Sequence, residues 1–336
     1  MSQQIKAWTF THGGFPNALQ QSGLPADVAP LKPSEIRVRV KAAALNPVDI
    51  RIMGIPLWPY IPSSVFPARK GVGEDFSGVV EEAGKDSGFK PGNEIFGIIP
   101  YLPGGTLQET VRIDTHSKGS IVLPKPADWS WEQAAALPLV WLTAQTTIAA
   151  VAPHVKNGRV VILGGSSSSG MYSVYLAKQR GWAVTATCSG RNADFVRGMG
   201  ADDIVDYTTT SVPTKVKAFD PDAIIDYVGG TECVGLARRY ATVVGDKTNR
   251  MAMGGRNVYL WNPRMILRAL LGRLGLGLSY TCIDLEFKAA YLEDLLLLPK
   301  DKITIDSTFD FDQVVEAYKK LNTGRTRGKV VIKVAT

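Results

Sequence analysis

RVVILGGSSSSGMYSVYLAKQRGWAVTATCSGRN, residues 159–192, runs from a five-residue apolar strand through a Gly/Ser turn into a helix and out along a second strand. In that arrangement the backbone N–H groups of the turn and the N-terminus of a helix opening at Gly170, or just after it, converge where a pyrophosphate could sit. Against the pattern G-x-G-x-x-G the three key positions are Gly165, Ser167 and Gly170, so serine replaces the middle glycine. The hydroxyls of Ser166, Ser167, Ser168 and Ser169 can donate to phosphate oxygens where a bare backbone usually does. At the end of the second strand an NAD site would carry an Asp or Glu for the ribose hydroxyl. From Met171 through Ala193 there is no carboxylate, and Ser189, Arg191 and Asn192 stand there instead. A guanidinium flanked by donors suits a phosphate, which points to NADPH.

Downstream the same alternation continues. Strands are expected at 203–207, 223–228 and 257–260, with helices near 192–199 and 231–241, the pattern of a doubly wound parallel sheet. Upstream the character changes. IRVRVK (36–41) alternates with a period of two, and further short strands at 78–82, 95–99 and 107–113 are fenced by Gly and Pro, which predicts an irregular β-rich unit over about the first 125 residues. LPKPADWSWEQAAALPL then reads as a connector into a helix, with Asp128 or Ser130 as cap. Near the C-terminus FDFDQVVEAYKKLNTG supplies an amphipathic helix with a Gly stop, and KVVIKV a strand able to pair back onto the N-terminal unit.

Composition bounds the function. With 336 residues, 45% hydrophobic and 21% charged, the chain is neither disordered nor collagen-like and has room for two modest domains. The net charge of +7 raises a nucleic-acid or membrane partner. The basic residues are mostly single, however, with no stripe interleaved with aromatics, so no nucleic acid is expected. Cys188, Cys233 and Cys282 lie far apart with no CxxC pair, which speaks against a disulfide framework or a structural zinc. The segment 133–155 is long and uncharged enough to span a bilayer, but Pro138 and its polar residues suit a buried helix. No secretory or Arg-rich transit pattern opens the chain, so a cytoplasmic location is expected.

With these pieces in place the sequence resembles the zinc-free, quinone-oxidoreductase-like branch of the medium-chain dehydrogenase/reductase superfamily. The resemblance rests on LNPVD (45–49), GEDFSGVVEEAG (73–84), KPGNEIFG (90–97), GGTLQETV (104–111), AAALPLVWLTA (134–144), the GGSSSSG turn, ATCSGRN, GADDIVDY (200–207), IIDYVGG (224–230) and RGKVVI (327–332). It implies an α/β protein with a GroES-like β-rich catalytic domain, residues 1–127 and 287–336, around a Rossmann domain, 128–286. It puts Thr143 beside the cofactor, the 165–170 turn on the pyrophosphate, and Ser189, Arg191, Asn192 and Tyr207 on the 2′-phosphate. Val228 and Gly229 would wall the nicotinamide, with Gly254, Gly255, Arg327 and Lys329 as further cofactor candidates. Zinc relatives in the superfamily carry Cys and His where this chain has Asn46 and Glu74, so no zinc site is expected.

The chemistry this leaves is hydride delivery from NADPH to a small-molecule quinone or enone. Asn46 is the candidate donor to an enolate, Asp49 an orienting residue and Tyr60 a candidate phenol donor. Two rival readings remain. One is a trans-acting enoyl reductase that works on a carrier-bound polyketide chain. The other is a non-catalytic NADPH-binding or membrane-peripheral protein, motivated by NPRMILRALLGRLGLGLSY (262–280). There Met265, Leu267, Leu270, Leu271 and Leu274 oppose Arg264, Arg268 and Arg273 on a helical wheel. That helix is expected to cover the substrate cleft or a homodimer interface rather than to contact a membrane.

Overall fold

The computed structural model describes residues 4–55, 58–65, 67–100, 105–246 and 262–334, and the chain divides into two compact units. One comprises Met1–Leu139, Met251–Arg256 and Phe287–Thr336, the other Val140–Arg250 and Asn257–Glu286.

The first unit is β-rich. Strands β1 (Gln4–Phe10), β2 (Leu19–Pro25) and β4 (Lys70–Gly71) form a three-stranded antiparallel sheet in the order β2-β1-β4. A larger sheet takes β3 (Glu35–Ala44), β5 (Asp75–Ala83), β6 (Glu94–Ile98), β7 (Thr110–Asp114) and β8 (Ile121–Pro124). The alternation in β3 holds in part: Ile36, Val38 and Val40 are fully buried beside Phe76 and Ile95 and Arg39 is exposed, but Arg37 is buried too, its guanidinium pairing with Glu82 at 2.6 Å. Helix α1 (Pro47–Met53) follows β3 at once, its N-cap Asn46 and its Pro at the first turn fixing where it starts. The helix run α2 (Trp131–Ala135) and α3 (Pro138–Val151) closes the connector, and Ser130 is its cap. The apolar span Trp131–His154 is 83% buried, which makes it a core helix.

In the second unit the strands β9 (Arg159–Leu163), β10 (Ala183–Cys188), β11 (Asp203–Asp206), β12 (Ala223–Asp226), β13 (Arg239–Thr242) and β14 (Ser279–Cys282) form one parallel sheet, order β11-β10-β9-β12-β13-β14. The direction of winding reverses between β9 and β12, the switch point at which such sheets bind ligands. Helices α4 (Ser168–Gln179), α5 (Ala193–Gly198), α6 (Val212–Phe219) and α7 (Pro263–Arg273) make the connections. Three hydroxyls join α3, α4 and the end of β12: Tyr227 OH lies 2.7 Å from Thr147 Oγ1 and 2.6 Å from Ser173 Oγ, and Thr147 Oγ1 donates to the Ala144 carbonyl at 2.8 Å.

One expectation fails here. The helix read over 231–241 is a set of turns followed by β13, because Gly229, Gly230 and Gly235 adopt φ of +82°, +95° and +94°, left-handed conformations that no helix continues. The expected strand at 257–260 and the candidates Gly254 and Gly255 lie outside the described residues. The chain then returns to the first unit through α8 (Ala289–Glu293), β15 (Ile305–Asp310), α9 (Val314–Asn322) and β16 (Lys329–Lys333). β16 pairs antiparallel with β3, as KVVIKV led one to expect, and α9 buries Val314, Ala317, Tyr318 and Leu321.

Candidate functional site

The turn after β9 is built for close approach. Gly164 takes φ +85°, and its N–H donates to Thr187 Oγ1 at 2.9 Å while the Gly165 N–H donates to the Thr187 carbonyl at 2.9 Å. Ser167 caps α4, its Oγ accepting from the Gly170 N–H at 3.1 Å. The helix therefore opens at Ser168, two residues earlier than the sequence suggested. A Cβ on Gly170 would sit 2.2 Å from the Gly164 carbonyl oxygen, and one on Gly165 2.8 Å from Ala186 Cβ, so neither position admits a side chain. The other first-turn N–H groups of α4 lie at the positive end of the helix, which favours an anion.

At the end of β10, Ser189, Arg191 and Asn192 stand on a 3-10 turn, and Asn192 Nδ2 reaches Ser189 Oγ at 3.4 Å. Pairing of Cys188 with Asp206 brings the end of β11 alongside, so Tyr207, half exposed, joins the same corner, its N–H donating to the Cys188 carbonyl at 3.2 Å. Arg191 is exposed and makes no ion pair among the described residues. That pairing also delivers Asp206, a carboxylate that reading 171–193 alone overlooked. Thr208 holds it, its Oγ1–H donating to Oδ1 at 2.7 Å and its N–H at 2.9 Å, and these bonds keep the Asp206 carboxyl below its ordinary range.

After β12 a second turn is pinned. Asp226 Oδ1 accepts from the N–H groups of Val228 and Gly229, both at 2.8 Å, and Oδ2 accepts from Thr242 Oγ1 at 3.0 Å. Thr242 in turn holds the Gly245 N–H at 2.9 Å. One buried carboxylate thus sets two adjacent turns at the ligand edge of the sheet. Burial raises its pKa, opposed by those backbone donors. Val228 and Gly229 lie on the first of these turns, and Thr143 is buried on α3.

In the first unit the sequence candidates fall into a buried cluster whose full membership sequence reasoning missed. Lys329 Nζ donates to Asp75 Oδ2 at 2.9 Å and to Asn46 Oδ1, and Asn46 Nδ2 donates to the same Asp75 oxygen at 2.9 Å. Asp75 Oδ1 accepts from the Leu139 N–H at 2.7 Å. Asp49 Oδ2 accepts from the Asn46 N–H at 2.7 Å and from the Tyr318 O–H at 2.9 Å. Lys329, Asp75, Asn46, Asp49 and Tyr318 are buried, and so is neighbouring Glu74. Loss of solvation pushes the Asp49 carboxyl up to about 7, against the pull of its hydrogen bonds and of Lys329. Glu74 is pushed well up as well, first by burial and then by the charges of Asp49 and Asp75.

These contacts decide what the cluster can do. Lys329 Nζ fills the cation position between Asn46 and Asp75, so this donor set does not fit a zinc ion. Among the described residues no group of three or more His, Cys, Asp or Glu is arranged to hold a metal. Both ends of the Asn46 amide are engaged inside the cluster. Tyr60 makes none of these bonds; it is 81% exposed, and its neighbours Pro59 and Ile61 line a cavity of about 350 Å³ with Thr11, His12, Ser63 and Lys70. Arg327 is exposed, its N–H donating to Asp306 Oδ1 at 2.7 Å, while Lys329 is buried.

Known proteins share this chain's family and fold. The family described as "Alcohol dehydrogenase GroES-like domain" matches residues 32–125, and "Zinc-binding dehydrogenase" matches 199–332. The chain is 33% identical over 331 residues to the NAD(P)H oxidoreductase RTN4IP1, mitochondrial, of Mus musculus, covering 90% of this chain and 82% of that one. It is 34% identical to the chloroplastic quinone-oxidoreductase homolog of Spinacia oleracea, covering 96% and 95%. To the trans-enoyl reductase pgmF of Aspergillus terreus it is 30% identical, covering 98% and 96%. The quinone oxidoreductase structure from Coxiella burnetii superposes with a TM-score of 0.78 at 26% identity over 99% of this chain and 100% of that one. The expected cytoplasmic location is corrected by these names: relatives called mitochondrial and chloroplastic point to an organelle.

Proposed function

Since this chain belongs to the medium-chain dehydrogenase/reductase superfamily and is an NAD(P)H oxidoreductase, we propose that it delivers hydride from NADPH to a quinone or a conjugated enone. The observation that carries the choice of NADPH is the exposed Arg191, without an ion pair among the described residues, beside Ser189, Asn192 and Tyr207, with the nearby Asp206 already satisfied by Thr208. When bound, the dinucleotide supplies the hydride from its nicotinamide ring. The chain's own part is to bind and orient: the N-terminus of α4 receives the pyrophosphate, Arg191 grips the 2′-phosphate, and Asp226 fixes the Val228–Gly229 turn. Thr143 and Arg327 keep their family-derived places near the cofactor as part of this reading, while Lys329, committed to Asp75 and Asn46, belongs to the buried cluster.

Arg191→Ala is expected to weaken NADPH binding about tenfold to a hundredfold, the cost of a hydrogen-bonded charge contact, and to leave NADH unchanged. Fluorescence titration with both nucleotides reads this directly; equal losses for the two would remove the phosphate grip.

Reduction of an enone also needs a proton. Asn46 has both amide ends engaged, so in this reading it orients the cluster together with Asp49, and protonation falls to Tyr60 or to water. Tyr60→Phe separates the two. A tenfold or larger drop in kcat with KM unchanged assigns the proton to the phenol, and an unchanged kcat assigns it to water.

A second reading has its own support, because the likeness to the trans-enoyl reductase extends over nearly both chains. NADPH oxidation measured with ortho- and para-quinones, 2-alkenals, cyclic enones and enoyl thioesters distinguishes the two. Preference for thioesters presented on a carrier protein would select the enoyl reductase, and inactivity toward every class would defeat both. Homodimer formation would be tested on the same preparation by light scattering.

A further inference from the structure

Among the described residues, helix α7 is held to the rest of the second unit along the face that carries Met265 and Arg268. Met265 is buried, and Arg268 Nη1 reaches Asp246 at 2.7 and 2.9 Å beneath the helix, where Tyr280 OH joins the same carboxylate at 3.1 Å. At about 100° per residue, Met265, Arg268, Ala269 and Gly272 share the inner face. The outer face carries Ile266, Leu267, Leu270 and Leu274, continued by Leu276, and each of these side chains is between 50% and 73% exposed. Arg264 and Arg273, both exposed, fall roughly a quarter turn to either side of that stripe. The sequence wheel had set Arg268 among the outward charges and Met265 among the apolar face. The structure reverses both, and what remains outside is a leucine ridge bordered by two arginines.

The surrounding charge selects what can cover such a ridge. Among the described residues from 262 to 283 there are three basic side chains and no acidic one, and with Arg268 committed to Asp246 the charge left on this face is that of Arg264 and Arg273. A second copy docking through this face by two-fold symmetry would set those arginines against their own copies. An anionic bilayer meets both demands, since its acyl boundary takes the leucines and its headgroups pair with the flanking arginines. We propose that α7 is a docking surface for an anionic lipid membrane, on which the protein lies peripherally through Ile266, Leu267, Leu270, Leu274 and Leu276. Nothing in this depends on the acceptor that the hydride site uses.

Vesicle co-sedimentation of the full chain tests it. On phosphatidylcholine vesicles containing phosphatidylglycerol the bound fraction at low salt is expected to exceed that on pure phosphatidylcholine by about tenfold. Leu267→Ser with Leu270→Ser removes binding to both, and Arg264→Gln with Arg273→Gln removes the dependence on phosphatidylglycerol. Both pairs sit on exposed positions, and NADPH turnover with a water-soluble quinone should stay within about twofold of the unsubstituted protein; where that protein itself shows no turnover, sedimentation still decides. Equal binding to the two vesicle types, no binding to either, or substituted proteins that sediment like the original would overturn the proposal. So would light scattering showing a dimer that Leu267→Ser with Leu270→Ser dissolves, since a second copy would then cover the ridge.

Discussion

Lys329→Met lowers the free energy of unfolding by about 3–5 kcal/mol, the cost of stripping the partner from a buried charge. Lys329 is 2% exposed and its ammonium answers both Asp75 and Asn46; without it the Asp75 carboxylate stays buried with only neutral donors, the Asn46 amide and the Leu139 N–H. The double substitution Lys329→Met with Asp75→Asn removes both charges and should recover most of the loss, because a neutral pair in the same volume carries no such desolvation cost. Urea unfolding of the three proteins measures it. If the double substitution is no more stable than the single one, the ion pair is not what the cluster depends on.

The second large effect is one of pH. Folding raises the Asp49 carboxyl from an ordinary 3.8 to about 7, mainly through burial. The native state therefore holds a proton that the unfolded chain has already released. The stability this proton lends is complete below about pH 4, falls as pH rises and is gone above about pH 7, at about 1.4 kcal/mol per pH unit in between. Asp49→Asn cannot lose a proton and keeps an oxygen for Tyr318 and the Asn46 N–H. Between pH 5 and pH 8 its stability relative to the original protein should therefore improve by about 2–3 kcal/mol. Unfolding midpoints taken at each pH give the difference, and parallel curves would mean that Asp49 is ionised in the folded protein.

Legibility in the sequence followed the range of the forces involved. The β9–turn–α4–β10 segment could be read because its strand period, its cap and its glycines act over a few residues. The irregular β unit and the returning C-terminal strand could be read for the same reason. The stretch 231–241 was misread because its apolar spacing resembles a helix while Gly235 within it, and Gly229 and Gly230 before it, all at positive φ, forbid one. The buried cluster was seen only in part: Asn46, Asp49 and Lys329 were singled out separately, but Asn46 and Lys329 meet across 283 positions, and nothing local announces their bond. One signal did exist, a lysine opening the otherwise apolar strand KVVI, where a buried cation must have a buried anion to face it. Asp206 was missed since its place beside Arg191 comes from strand pairing and not from proximity in the chain.

The three hydroxyls between α3, α4 and β12 have a polarity of their own. Thr147 has a single proton and gives it to the Ala144 carbonyl, so toward Tyr227 at 2.7 Å and Ser173 at 3.2 Å its Oγ1 can only accept. Tyr227 and Ser173 also lie 2.6 Å apart, and whichever of them donates to Thr147, the line of protons ends at the helix carbonyl. Burial holds the Tyr227 phenol up to about 12, so no physiological change of acidity reverses the line. The protein thus has two polar interiors of opposite temperament: the one around Asp49 registers acidity near neutrality, and the one around Tyr227 is deaf to it.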